Sequence, residues 1–421
     1  MFTARALRPS VPSVRQAASP YRASIEAARA PFIRTNKVQG GYRAGVAAQR
    51  FVSAYGYTQA KVLVYPKYGE PKDVLQLHRH SIGPPSGSQV NLRLLACPLN
   101  PADINQIQGV YPAKPAFTNI LGTAEPTAIG GNEGAFEVLS TGPQVQSLKK
   151  GDWVVMKRTG QGTWRTHAQL EEGQLIKVDK QGLTPLQVGT VSVNPVTAYR
   201  MIKDFCDWDW MRSGEEWLIQ NGANSGVGRA AIQLARVWGI KTLNVIRQRE
   251  NLEETEALKK DLLNLGATAV VTEAELLSKE FRGIVKQLTN DGKQPIRLAL
   301  NCVGGENASA MAKVLAPDSH LVTYGAMSRK PVALPSGLLI FKNLVFDGFW
   351  VSRWGDKNSQ AKENTIKDIF ELTRAGRFKD IPVQEVKWTY DKEPQELVDA
   401  VQDTLSGFRS GKTIFVYEGD D

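Results

Sequence analysis

The spacing of apolar residues changes near residue 186. Before it, from Lys61 to Val178, they come in short runs cut by Gly and Pro: KVLVYPKYG, VNLRLLACP, GAFEVLSTG, GDWVVMK and QLIKV. Runs of that length between turn residues predict strands, and Gly151–Asp152 in KKGDWVV marks a strand entry. This half is expected to be mainly β. Beyond residue 186, EEWLIQNG reads as a buried strand, GRAAIQLARVWG as a helix closed by Gly239, and KTLNVI as a second strand. A charged helix over residues 250–265 follows, then strands in ATAVVT, IRLALNCVGG, HLVTYGAM and NLVFDGFW. Strands alternating with helices predict a parallel sheet built from βαβ crossovers. The last fifty residues revert to strand and helix and end in GKTIFVYE, a segment that could return to complete the first half.

At 421 residues the chain exceeds the size at which one core keeps growing, so two domains are expected. No run of eighteen apolar residues exists, so nothing in the sequence reads as a membrane span. The net charge of +10 suggests nucleic acid until its distribution is read. Residues 1–60 hold eight Arg and Lys37 against Glu26 alone, which is +8 and leaves +2 for the other 361 residues. A nucleic-acid surface needs its basic residues on the folded body, and here they sit in a tail. That tail is Arg-rich, contains Ala and Ser and is nearly free of acids, which predicts a mitochondrial transit peptide cut between about Arg50 and Tyr57. A basic tail with no address has the same composition. Cys97, Cys206 and Cys302 form no C-x-x-C pair and no disulfide framework, which suits a reducing interior.

The stretch WLIQNGANSGVGRAAIQLA, residues 217–235, leads a strand through a Gly-rich turn into a helix. This is the context of a dinucleotide-binding turn, where backbone N–H groups and a helix N-terminus approach a pyrophosphate. The spacing departs from G-x-G-x-x-G, with Ala223, Ser225 and Gly228 in the three places. A tight turn in an ordinary α/β domain would share the outline. The second strand adds a cofactor preference. Where an NAD site places an acid on the ribose hydroxyl, this chain has Arg247, nineteen residues past Gly228, and Arg249. Guanidinium forks match a 2′-phosphate and cannot accept from a hydroxyl, which predicts NADP. The four histidines offer no zinc site: His78 and His80 share one face of a strand in HRH, but no third ligand is near, and the pair reads as a solvated strand face. The chemistry is expected to run without a metal.

With these features in place, the chain resembles the medium-chain dehydrogenase/reductase superfamily, in which a GroES-like β domain in two sequence pieces flanks a Rossmann domain. Zinc-bearing members carry a Cys in the stretch equivalent to NPADINQ and Gly-His-Glu where this chain has LGTAE. Both are absent here, which groups the chain with the zinc-free reductases. Among these it is similar to the mitochondrial 2-enoyl thioester (trans-2-enoyl-CoA) reductases, through NPADINQIQGVYP, SVNPVTAYRM, NGANSGVGRAAIQLA, RQR, YGAMSRKPV and FDGFWVSRW. The resemblance covers everything after the tail. It implies an α/β fold, a GroES-like β domain plus a doubly wound Rossmann sheet. The pieces would be a transit segment 1–52, catalytic pieces 53–205 and 365–421, and a dinucleotide domain 206–364.

The resemblance also implies NADPH as cofactor and a mitochondrial matrix enzyme of fatty-acid synthesis, acting on enoyl thioesters of acyl carrier protein or CoA. Its proton donor falls on Tyr111. Its cofactor contacts fall on Asn194, on Asn224, Ser225, Gly226 and Val227, and on Arg247, Gln248 and Arg249. They continue on Tyr324, Gly325, Ala326 and Met327, on Phe349, Trp350 and Val351, and on Lys412. On its residues alone Tyr111 reads as a packing aromatic in a Pro-bounded turn. A phenol with a pKa near 10 is nevertheless protonated at neutral pH and can act as a donor. A homodimer is expected from the apolar edge strand NLVFDGFW and from the resemblance. An NADPH:quinone reductase shares the fold and the lack of zinc but has no need of Tyr111. A nucleotide- or RNA-binding module is disfavoured by the small charge of the mature chain.

Overall fold

The computed structural model describes residues 56–209, 211, 214–404 and 411–419. The expected transit segment 1–52 lies outside the described residues. Eight strands come first: β1 (Thr58–Tyr65), β2 (Gln76–Ile82), β3 (Gln89–Pro98), β4 (Ala128–Ile129), β5 (Ala135–Thr141), β6 (Trp153–Met156), β7 (His167–Glu171) and β8 (Leu175–Val178). Six follow in the middle of the chain: β9 (Trp217–Gln220), β10 (Lys241–Ile246), β11 (Ala269–Thr272), β12 (Ile296–Asn301), β13 (His320–Thr323) and β14 (Val345–Gly348). The last two are β15 (Val383–Trp388) and β16 (Lys412–Tyr417).

The early strands form a small sheet, ordered β2–β1–β4, and a larger one, ordered β15–β16–β3–β5–β6–β8, with β7 also on β3. Alternation places Val90, Leu92, Leu94 and Ala96 of β3 on one face, all fully buried. The C-terminal strand β16 lies antiparallel on β3, Phe415 opposite Cys97, so the chain's end does return to its first half.

The middle strands form one sheet ordered β11–β10–β9–β12–β13–β14, every neighbouring pair parallel. In chain order this is 3-2-1-4-5-6, the doubly wound Rossmann arrangement, with its switch point between β9 and β12. All four residues of β9 are buried, as expected where a parallel strand is covered on both faces. NLVFDGFW supplies the edge strand β14, in keeping with its reading as the last strand. The helices Asn194–Asp204 and Gly226–Val237 share a core with β9, β12 and β13.

One expected boundary needs correction. Residue 364 falls inside the helix Ser359–Arg374, whose Ile366, Ile369 and Phe370 pack with Val155, Ile176 and Val178 of the β-rich sheet. A continuous helix with one buried face cannot be divided there. The return to the first half is marked by β15 and β16.

Candidate active site

The site is assembled where the switch point meets the β-rich sheet. At the dinucleotide turn, Ser225 caps the helix Gly226–Val237, its Oγ accepting from the Gly228 N–H at 3.1 Å. Gly228 has no room for a side chain: a Cβ there would stand 2.5 Å from the Ala223 carbonyl oxygen. A Cβ on Gly226 would stand 2.8 Å from Asn194 Nδ2. The two glycines thus let the turn pack closely on Ala223 and Asn194, and a helix N-terminus of this kind is where an anion is favoured. A cleft of about 1080 Å³ opens beside the turn, lined by Asn224, Ser225, Gly226, Arg249 and Lys412 among others. These features fit a dinucleotide phosphate. Arg247 and Gln248 follow β10 as exposed residues outside the cleft lining, while Arg249 is half-buried and its N–H donates to Thr255 Oγ1.

Tyr111 is positioned by the short helix Pro101–Ile107. That helix begins at Asn100 with Pro101 in its first turn, and the Asp103 carboxylate accepts from the Asn100 N–H. At its end the Asn105 carbonyl accepts the N–H groups of Val110 and Tyr111, at 3.0 and 3.1 Å. Gln106 Nε2 donates to the Ala113 carbonyl and holds the turn from its other side. The Tyr111 ring meets the Trp350 ring edge-on, with centroids 5.8 Å apart. Burial raises the Tyr111 phenol above its ordinary value; the Trp350 indole opposes the shift and the Asp103 carboxylate adds to it. Trp350, Phe349 and Tyr324 line a second cleft at the ends of β13 and β14, of about 570 Å³. The loop after β13 closes over the end of β12, Met327 N–H donating to the Cys302 carbonyl. Ala326 and Met327 are exposed, Gly325 half-buried, and Val351 packs inward.

Beneath Tyr111 and the turn lies a group of buried polar side chains. Asp103 accepts from the Asn100 N–H at 2.6 Å and from Asn132 Nδ2 at 2.5 Å. Glu133 accepts from Asn100 Nδ2 at 2.8 Å and from the Val193 N–H at 2.9 Å. Asn100 Oδ1 accepts from Lys412 Nζ and from Asn194 Nδ2. Burial raises the Asp103 carboxyl to about 7 and raises Glu133, and it lowers Lys412, which the two carboxylates partly hold up.

A family model described as an alcohol dehydrogenase GroES-like domain matches residues 86–194, and one described as a zinc-binding dehydrogenase matches residues 226–370. The mitochondrial enoyl-[acyl-carrier-protein] reductase of Yarrowia lipolytica is 44% identical over 351 residues, 83% of this chain and 89% of the relative. The chain belongs to the mitochondrial enoyl-[acyl-carrier-protein] reductases. Among solved structures, the Etr1p/NADP/crotonyl-CoA complex superposes with a TM-score of 0.80 at 38% identity, covering 85% of this chain and all of that one. The mitochondrial 2-enoyl thioester reductase Etr1p/Etr2p heterodimer from Candida tropicalis gives 0.80 at 39%, with the same coverage.

In this reductase the stretch LGTAE is partly exposed, and Glu125 itself is at the surface. The Gly-x-Glu buried beside NPADINQ is instead Gly131-Asn132-Glu133, with Asn at its centre and no His. Among the described residues no group of three or more His, Cys, Asp or Glu could hold a metal ion. His78 and His80 stack at 6.0 Å, and both are half-buried, less solvated than expected. Sequence reasoning assigned no role to Asn100, Gln106, Asn132 or Glu133. An Asn-Pro helix start with Asp three residues past the Asn, and a Gly-x-Glu before an apolar strand, were the available signals.

Proposed function

We propose that the protein catalyses the NADPH-dependent reduction of trans-2-enoyl thioesters, carried by acyl carrier protein or CoA, to saturated thioesters in mitochondrial fatty-acid synthesis. The carrying observation is the meeting of Tyr111, from the β-rich half, with Trp350 at the end of β14. It brings a protonated phenol to the cofactor side of the Rossmann sheet. The crotonyl-CoA and NADP named with the similar Etr1p complex support the same reading.

When bound, NADPH supplies a hydride. Asn194, Asn224 to Val227 and Lys412 would hold its phosphates, Arg247 to Arg249 its 2′-phosphate end, and Tyr324 to Met327 with Phe349 to Val351 the remaining contacts. Saturation also requires a proton at the α-carbon of the thioester, and Tyr111 donates it from its phenolic oxygen. Because burial raises that phenol, it stays protonated throughout the neutral range. Such a general acid contributes roughly 10²–10⁴-fold. The enzyme is mitochondrial, as its relatives are; we assign it to the matrix, and to a homodimer.

The test is NADPH oxidation with crotonyl-CoA and with a quinone, for the wild type and for Tyr111→Phe. Turnover of crotonyl-CoA is expected, reduced about a hundredfold or more in the variant while NADPH binding persists. A wild type active on the quinone alone points to the quinone reductase. A variant with near wild-type turnover removes Tyr111 from the mechanism.

A further inference from the structure

Glu133 is 1% exposed, and no step of the proposed reaction uses it. A carboxylate so deeply buried is tolerated only with its lone pairs occupied and a countercharge near. Its two oxygens are bound on different sides. Oε1 accepts from the Asn100 side chain, at the start of the helix that ends in the Tyr111 turn. Oε2 accepts from the N–H of Val193, the residue before Asn194, which stands against Gly226. Glu133 also settles which way the Asn100 amide points. A carboxylate can only accept and an ammonium can only donate. The Asn100 NH₂ must therefore face Glu133, which turns its oxygen toward Lys412 and Asn194.

We propose that Glu133 is a positioning residue that holds the proton-donor turn and the cofactor-side residues Asn194 and Lys412 in one fixed relation. The inference rests on NADPH occupying the cleft beside Asn194 and Lys412. No other buried carboxylate among the described residues joins these two sides, since Asp103 bonds only within the β-rich half.

Replacing Glu133 with Gln leaves one acceptor where two are needed, and turns an NH₂ toward either Asn100 Nδ2 or the Val193 N–H. It also removes charge. Lys412 faces Glu133 and Asp103, and Glu133 itself faces Lys412 and Lys362. Burial lowers Lys412 and Glu133 raises it, so without Glu133 the ammonium loses its proton at a lower pH.

The experiment measures NADPH affinity by fluorescence titration from about pH 6.5 to about pH 9.5, turnover on crotonyl-CoA, and melting temperature. Glu133→Gln is expected to keep its fold, to bind NADPH about tenfold more weakly and to turn over about tenfold more slowly. Its affinity should begin to fall at a lower pH than that of the wild type. A variant within about twofold of wild type in either affinity or turnover overturns the proposal, as does an unmoved pH profile. Should that variant not fold, Glu133→Asp keeps the charge but is one methylene too short to span both partners. It is expected to show the same two losses without the pH displacement, and wild-type values would again overturn the proposal. The binding titration needs no substrate, so a wild type inactive on enoyl thioesters would sink the proposed reaction and still leave Glu133 tested.

Discussion

Asp103 spends its two oxygens on the Asn100 N–H and on Asn132, yet burial outweighs both bonds and raises its carboxyl to about 7. The sign of the resulting pH dependence follows. In the unfolded chain an aspartate ionises near 3.9, so between about pH 4 and about pH 7 the unfolded state loses a proton that the folded state keeps. Stability from this residue therefore falls as pH rises through that window, by roughly 4 kcal/mol in all, and is level above it. Asp103→Asn has no charge to bury. Relative to wild type, its unfolding free energy in urea should improve by up to that amount between about pH 4 and about pH 8. A difference constant with pH would mean that Asp103 is ionised throughout. Asp103 was visible in NPADINQ, but its environment was not, because Asn132, which donates to its carboxylate, and Glu133, whose charge adds to the rise, arrive from another strand connection.

At the scale of elements, the second strand of the Rossmann sheet is where spacing said most. KTLNVI is β10 residue for residue, and the arginines follow it directly. Arg249 lines the cleft with Ser225 and Lys412, while Arg247 stands exposed beyond the strand. Changing both to Ala is expected to raise the Michaelis constant for NADPH at least about tenfold and leave that for NADH nearly unchanged, since only contacts to the 2′-phosphate are lost. Equal losses with both cofactors would make the pair structural. Other elements were less legible. β4 has two residues, too few for a period to register, and HAQLE of β7 holds only Ala168 and Leu170 as apolar residues; the two strands pair with β1 and β3. The helix Pro101–Ile107 is only seven residues long, and its Asn cap and Pro were its only local marks.

For the molecule as a whole, the exposed edge bears on assembly. β14 ends the Rossmann sheet with Val345 exposed, and Leu339, Ile340 and Phe341 of the preceding helix are exposed as well. An unprotected edge with apolar neighbours favours a second copy, so light scattering at micromolar concentration should give the dimer mass; a monomer mass would count against the assignment. The tail bears on address. Deleting residues 1–50 should leave an active enzyme in the cytosol, and unchanged import would refute the tail as its targeting signal. By itself the sequence determined the order of the strands in the Rossmann half, the glycine turn and the basic pair, because each rests on periodicity or on backbone needs local to a few residues. Only the tertiary structure decided that β16 closes the first sheet and that Tyr111 meets Trp350. It also decided that Glu133 and Asn100 join the Tyr111 turn to Asn194 and Lys412. Those contacts link residues up to 320 positions apart in the chain, Ala96 and Val416, and burial there changes what a carboxylate or an ammonium does, which no local pattern records.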